Sequence, residues 1–174
     1  MKETLRYGFI LGTICIVAGG LLAGINFLTK PRIIAQAQAE EESALKEVMP
    51  EGESFEPAKK ENGVIYYRVR DKEGKYIGAA FKASGKGYSS AVDTLAGMSP
   101  DGQIIAVKVL SQNETPGLGA NVVEPPFTGQ FAGKNIQDLE GVQAITGATI
   151  SSKAVIDSVR EKGKEIFELI KDEK

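Results

Sequence analysis

Histidine is absent from this 174-residue chain and Cys15 is its one cysteine. That removes intrachain disulfides, and with them zinc sites, haem ligation and iron–sulfur clusters, all of which need several His or Cys ligands. Ser-His-Asp and Cys-His catalysis fall for the same reason. Nor does the chain have an excess of either charge. Its 21 Lys+Arg stand against 23 Asp+Glu, a formal net charge of -2, and the basic residues are scattered, so there is no electrostatic footprint for nucleic acid. Length excludes two large domains, and no internal repeat or low-complexity tract is present. Chemistry must then come from carboxylates, hydroxyls, lysines, or a cofactor whose reactivity is its own. No catalytic residue and no metal ligand is assigned.

What the chain does have is a long apolar run. Gly8 to Thr29 carries no charge and one amide, Asn26, and is long enough to cross a hydrocarbon core of about 30 Å as a helix. A buried core helix rarely stays apolar all round for such a length. A cleaved signal peptide is the rival: Lys2 and Arg6 supply a basic start, and Ala35-Gln36-Ala37-Gln38-Ala39 offers small residues for cleavage. Against it, the run exceeds a typical signal core, and Lys30 and Arg32 follow directly, as at the polar end of a retained anchor. Positive charge flanks both ends, so it does not orient the span. Gly8, Gly12, Cys15, Gly19, Ala23 and Asn26 form a ridge of small side chains on one helical face, suited to a partner helix in lipid.

Beyond Pro31 a helical segment (Ile33, Ile34, Ala37, Leu45, Val48, Met49) is expected to be broken by Glu40-Glu41-Glu42 and stopped at Pro50. Residues 50–63, rich in Glu, Lys, Pro and Gly, read as a loop. Val64 to Arg70 alternates, turns at Asp71-Lys72-Glu73-Gly74 and is followed by a strand around Tyr76 to Ala83. A second hairpin joins Val92–Met98 to Gln103–Leu110 through Ser99-Pro100-Asp101-Gly102. From Ser152 onward Val155, Ile156, Val159, Ile166, Phe167 and Ile170 recur at helical spacing, with Ser151 as N-cap. The fold class is α+β: antiparallel hairpins packed with helices, behind one N-terminal transmembrane helix. The expected division is a tail over 1–7, the transmembrane helix over 8–29, a stalk with helix over 30–62, and the soluble domain over 63–174.

Two segments are neither ordinary strand nor helix: Glu114-Thr115-Pro116-Gly117-Leu118-Gly119, and Thr146-Gly147-Ala148-Thr149 leading into Ile150-Ser151-Ser152. The second sets small residues ahead of a helix start, where free N–H groups and the helix dipole favour a phosphate, and the Thr149 hydroxyl could carry one covalently. A turn that uses Gly, Ser and Thr for capping alone fits the same residues. In the first segment Pro116 fixes a torsion, Gly117 and Gly119 lack side chains, and Leu118 offers an apolar contact to a flat ring; a tight strand-end turn is the alternative. Thr115 and Thr146 suit either ligand bonds or turn caps.

These segments resemble the G subunit of the Rnf-type ion-translocating ferredoxin:NAD oxidoreductase complex, and more distantly the C subunit of the sodium-pumping NADH:quinone reductase. The resemblance runs over nearly the whole chain: the anchor, Gly87-Tyr88, the hairpin ending in ETPGLG, Gln130-Phe131-Ala132-Gly133-Lys134, and TGATISSKAV at 146–155. It implies that 63–174 is an FMN-binding domain, that a separate flavin transferase esterifies the FMN phosphate to Thr149, and that Glu114, Thr115, Gly117, Leu118, Gly119, Thr146, Gly147, Ala148 and Ser151 surround the cofactor. It further implies a single-pass protein of the cell membrane, its soluble domain outside, relaying electrons among other membrane subunits of a translocase. The chain departs from the family at Gln143, where Asp is usual, at Ala120, and at Ser89-Ser90. Two other functions fit the residues: a membrane-anchored module that binds a phosphorylated ligand reversibly near Ser151, and a flavin-free assembly subunit.

Overall fold

The computed structural model describes residues 2–60 and 63–171, which divide into two compact units, Met1–Glu41 and Glu42–Lys174. The N-terminal element is a single helix, α1 (Lys2–Val48), 47 residues long with Pro31 inside it. The expected break at Glu40-Glu41-Glu42 does not occur. Glutamate is a good helix former, and Gln36 Nε2 donates to Glu40 Oε1 at 2.8 Å across one turn, so this stretch favours continuing the helix. Over the apolar run the side chains are bare, Phe9, Ile16 and Phe27 each being more than three-quarters exposed. The hydroxyls there are satisfied internally: Thr13 donates to the Phe9 carbonyl (2.9 Å) and Thr29 to that of Ile25 (2.8 Å). Among the described residues this is the one helix long and apolar enough to cross a membrane.

The second unit is built on a five-stranded antiparallel meander, β1 (Ser54–Lys60), β2 (Gly63–Arg70), β3 (Tyr76–Lys86), β4 (Ala91–Met98) and β5 (Ile104–Ser111), in sheet order β1-β2-β3-β4-β5. Of the loop expected over 50–63, residues 54–60 are corrected by β1, which pairs with β2 from Ser54↔Arg70 to Lys60↔Gly63, while residues 61–62 lie outside the described residues. β1 is an edge strand, so Glu56 and Pro57 can face solvent and the apolar alternation that marks an inner strand is not required. The two expected hairpins form, and β3 also pairs with β4 from Ala79↔Met98 to Lys86↔Ala91, which makes one continuous sheet. Their turns follow the sequence chemistry. Asp71 Oδ1 accepts the N–H groups of Glu73 and Lys75, each at 2.9 Å, and Ser99 Oγ accepts that of Gln103 at 3.2 Å.

Both faces of the sheet are covered. On one, Ala44, Leu45 and Val48 from the end of α1, with Met49, bury Val69, Ala80 and Leu95. On the other, Phe81, Val92, Ala96 and Met98 meet Val155, Val159 and Ile166 of a C-terminal helix, α3 (Thr149–Ile170). Between β5 and α3 the chain makes short helical turns, including α2 (Pro125–Thr128), whose Phe127 meets Phe131 edge-on with centroids 5.6 Å apart. Close approach is set by missing side chains: a Cβ on Gly97 would lie 2.3 Å from the Val48 carbonyl oxygen, and one on Gly85 would lie 2.1 Å from that of Ala154.

Because the atom facing Gly97 is backbone and cannot swing away, Gly97→Ala is expected to destabilise the folded chain by about 1–3 kcal/mol, as overpacking does. Gly24→Ala, where nothing lies within 4 Å, serves as control and should leave the unfolding midpoint unchanged in denaturant titrations of the detergent-solubilised protein.

Candidate functional site

A cleft of about 500 Å³ opens where the β3–β4 turn, the segment after β5 and the start of α3 converge. Ten residues line it: Glu114, Thr115, Leu118 and Gly119 from the first motif, Gly147, Ala148, Thr149 and Ser151 from the second, and Tyr88 and Ile150. The two motifs, some thirty residues apart in the chain, therefore share one surface. Gly117 and Thr146 are exposed and lie outside that lining. Gly117 (φ 76°) and Gly147 (φ 79°) both occupy the left-handed region, which the two turns require and which side chains strain.

The start of α3 corrects one expectation. The helix begins at Thr149, and Ala148, not Ser151, is its N-cap, with no side-chain capping bond. Ser152 explains the shift: its Oγ accepts the Ile145 N–H (3.0 Å) and donates to the Ala148 carbonyl (2.9 Å), which folds the TGAT turn back onto the first helical turn. Thr149 is thus the first helical residue, exposed at the cleft, at the end of the helix where backbone N–H groups lack intrahelical acceptors.

Ser151 is turned inward and donates its hydroxyl to Glu114, a carboxylate only 6% exposed at the floor of the cleft. Glu114 also accepts the N–H groups of Tyr88 (3.1 Å), Ser89 (2.9 Å) and Ser90 (3.0 Å), so it ties the β3–β4 turn to α3. Ser90 Oγ adds a return bond, accepting the Asn113 N–H at 2.9 Å. The knot has no room for extra atoms: a Cβ on Gly119 would stand 2.5 Å from Ser151 Oγ, and one on Gly87 would stand 2.6 Å from Glu114 Oε1. Burial pushes the Glu114 carboxyl up, but the bonds from Ser151, Ser90, Ser89 and Tyr88 outweigh it and hold the group below the usual carboxylate range.

Sequence reasoning missed two walls and a clamp. Tyr88, 72% exposed, and Ile150, 54% exposed, offer apolar surface beside Leu118, which is 48% exposed. Gly87-Tyr88 was visible as part of a resemblance without a role, and Ser152 looked like one more hydroxyl in a polar run. Nothing in the sequence joined Glu114 to residues 24 to 37 positions away.

Comparison with known proteins gives two family matches: an FMN-binding domain over residues 87–162 and an RnfG N-terminal region over residues 1–48. The chain is 34% identical to the G subunit of the proton-translocating ferredoxin:NAD(+) oxidoreductase complex of Clostridium ljungdahlii, over 84% of this chain and 83% of that protein. It is 33% identical to the G subunit of the ion-translocating oxidoreductase complex of Methanosarcina acetivorans, over 91% and 92%. Among solved structures, NqrC of Shewanella oneidensis shares the fold with a TM-score of 0.56 at 21% identity, over 73% of this chain and 74% of that one.

A folded carboxyl that ionises at lower pH than its unfolded counterpart adds stability above the unfolded pKa, and loses it as pH falls through the lowered value. Glu114→Gln should therefore cost about 1–3 kcal/mol near pH 7, where two donors would face an amide NH₂. Denaturant midpoints of the two proteins should converge as pH falls below the ordinary carboxylate value of 4.5.

Proposed function

The chain belongs to the family of G subunits of Rnf-type ion-translocating ferredoxin:NAD oxidoreductases, translocase subunits with an FMN-binding domain, and we propose that it carries its FMN as a phosphoester on Thr149. The observation that carries this reading is the position of Thr149: the first residue of an uncapped helix, exposed, in the same cleft as the ETPGLG turn. Its hydroxyl is free to be esterified while the neighbouring N–H groups and the helix dipole face the phosphate.

The residues present fit the cofactor. The cleft volume of about 500 Å³ lies in the range of small-molecule sites, and its lining combines small, hydroxyl-bearing and apolar residues. At the α3 end, Gly147 and Ala148 let a phosphate approach the backbone. Leu118, Tyr88 and Ile150 supply apolar surface for a ring, with the Thr115 carbonyl holding the turn by accepting the Leu118 and Ala120 N–H groups, each at 3.1 Å. When bound, FMN supplies one-electron chemistry that can link carriers not in contact. The protein's own contribution is to fix the attachment point, shape the walls and leave the cleft accessible to neighbours.

The apolar part of α1 serves as the membrane anchor in this reading. Residues 8–29 span about 33 Å at helical rise, enough for a bilayer core. The soluble domain lies on the extracytoplasmic side, with other subunits of the complex as partners and a flavin transferase as the maturation enzyme. The domain itself includes the residues grouped as 63–174, together with β1 and the end of α1, which complete its core.

Thr149→Ala tests the attachment. Co-produced with a flavin transferase, the wild-type chain should show one added FMN phosphoryl group in its intact mass and in-gel fluorescence after denaturation. The variant should show neither, and flavin retained through denaturation would remove Thr149 as the site.

Recognition by the transferase is tested at Gln143. Its structural bonds run through the main chain, which donates to Gln130 Oε1 (2.8 Å) and accepts from Gln130 Nε2 (3.4 Å). Gln143→Asp should consequently leave the fold intact and raise the flavinylated fraction in a limiting-time reaction. An unchanged fraction would show that the position tolerates the amide.

A further inference from the structure

Glu114 has no hydrogen-bonding capacity left for a ligand. Oε1 accepts the Ser89 and Ser90 N–H groups, and Oε2 accepts the Tyr88 N–H and the Ser151 hydroxyl. A carboxylate offers about four lone-pair sites, so all are taken. Its charge, however, remains. Every one of these donors is neutral. Through Ser151 that charge is fixed at the first turn of α3, in the lining of the cleft that also holds Thr149.

We propose that Glu114 is a specificity-determining residue that makes the cleft reject a free phosphate monoester, so that FMN is held by its ester bond to Thr149 and not by the charge of its phosphate. The inference rests on the reading that Thr149 carries the flavin. A helix N-terminus is equivalent to roughly half a positive elementary charge. Glu114 sets a full negative charge against it in the same cleft. A phosphate monoester brings roughly −1.5 to −2 at pH 7, and that dianion meets net repulsion. Esterification to Thr149 removes the second ionisable oxygen, leaving a singly charged diester that is repelled less. The same backbone donors at the helix start then serve the diester while giving free FMN no advantage.

The test is a fluorescence titration of the full-length chain, purified in detergent from cells without a flavin transferase, with FMN and with riboflavin, which differ by the phosphate alone. The wild type should bind FMN no more tightly than riboflavin. Glu114→Gln should shift the ratio of the two affinities several-fold toward FMN, since any change it makes in the shape of the cleft acts on both flavins alike. Ser151→Ala loosens the same knot but keeps the charge, and should leave the ratio at the wild-type value.

A wild type that prefers FMN by about tenfold, or 1.4 kcal/mol, overturns the inference. So does a folded Glu114→Gln that gains no preference, including one that binds neither flavin, or a Ser151→Ala that gains as much as Glu114→Gln. Should Glu114→Gln fail to fold, the wild-type ratio alone decides. The intact mass of the co-produced chain judges the Thr149 reading separately: a flavin-free mass sinks that reading, while an FMN-favouring ratio sinks this one.

Discussion

The Glu114 carboxylate, with three backbone N–H groups and one hydroxyl converging on it, fixes how the sheet and the last helix meet at the cleft. Its partners come from two separate stretches of chain, the β3–β4 turn at Tyr88 to Ser90 and the first turn of α3 at Ser151. Burying a carboxylate is unfavourable unless its hydrogen bonds are made, so once the surrounding chain closes, loss of any one donor weakens the rest. That dependence runs outward. Gly87 and Gly119 lack the atoms that would hold the walls apart, and Tyr88 from the β3–β4 turn and Leu118 from the segment that carries Glu114 take their places at the rim.

The knot is useful only on a rigid frame. The sheet supplies one because both faces are buried, by the last turns of α1 on one side and by α3 on the other. Neither helix stands off at an ordinary side-chain distance where glycine meets backbone, at Gly97 with Val48 and at Gly85 with Ala154. Gly85 lies two residues before Gly87, the first glycine of the Tyr88 turn, so the close contact of β3 with α3 and the Glu114 bonds reinforce one another along the same stretch of strand.

Much of this was legible in the sequence, for reasons that are local. The apolar run, the two hairpins and the amphipathic C-terminal helix each follow from periodicity or turn chemistry among near neighbours in the chain. The misses are where tertiary context decides. β1 is polar because an edge strand needs one buried face at most, so residues 50–63 looked like a loop. The helix start moved from Ser152 to Thr149 because Ser152 Oγ bonds the Ile145 N–H, a contact across the TGAT turn that composition does not encode. The ETPGLG and TGAT segments could be singled out, but their meeting in one cleft, and the inward turn of Ser151 toward Glu114, are long-range facts.

The proposed attachment at the first residue of a helix would also explain how so open a cleft can serve a cofactor. A ligand in free exchange must recover its lost translational and rotational freedom through contacts, which favours deep, enclosing pockets. A tethered ring is present at an effective concentration in the millimolar range, so modest apolar walls suffice to seat it. Leu118, Tyr88 and Ile150, each about half or more exposed, are walls of that kind. An enclosing pocket would bind the ring more firmly but would also bury the edge through which electrons must pass to a neighbour. Were retention to fall to the proposed Thr149 ester and alignment to the Glu114 knot, the remaining surface could stay open, and the site could exchange electrons without exchanging its cofactor.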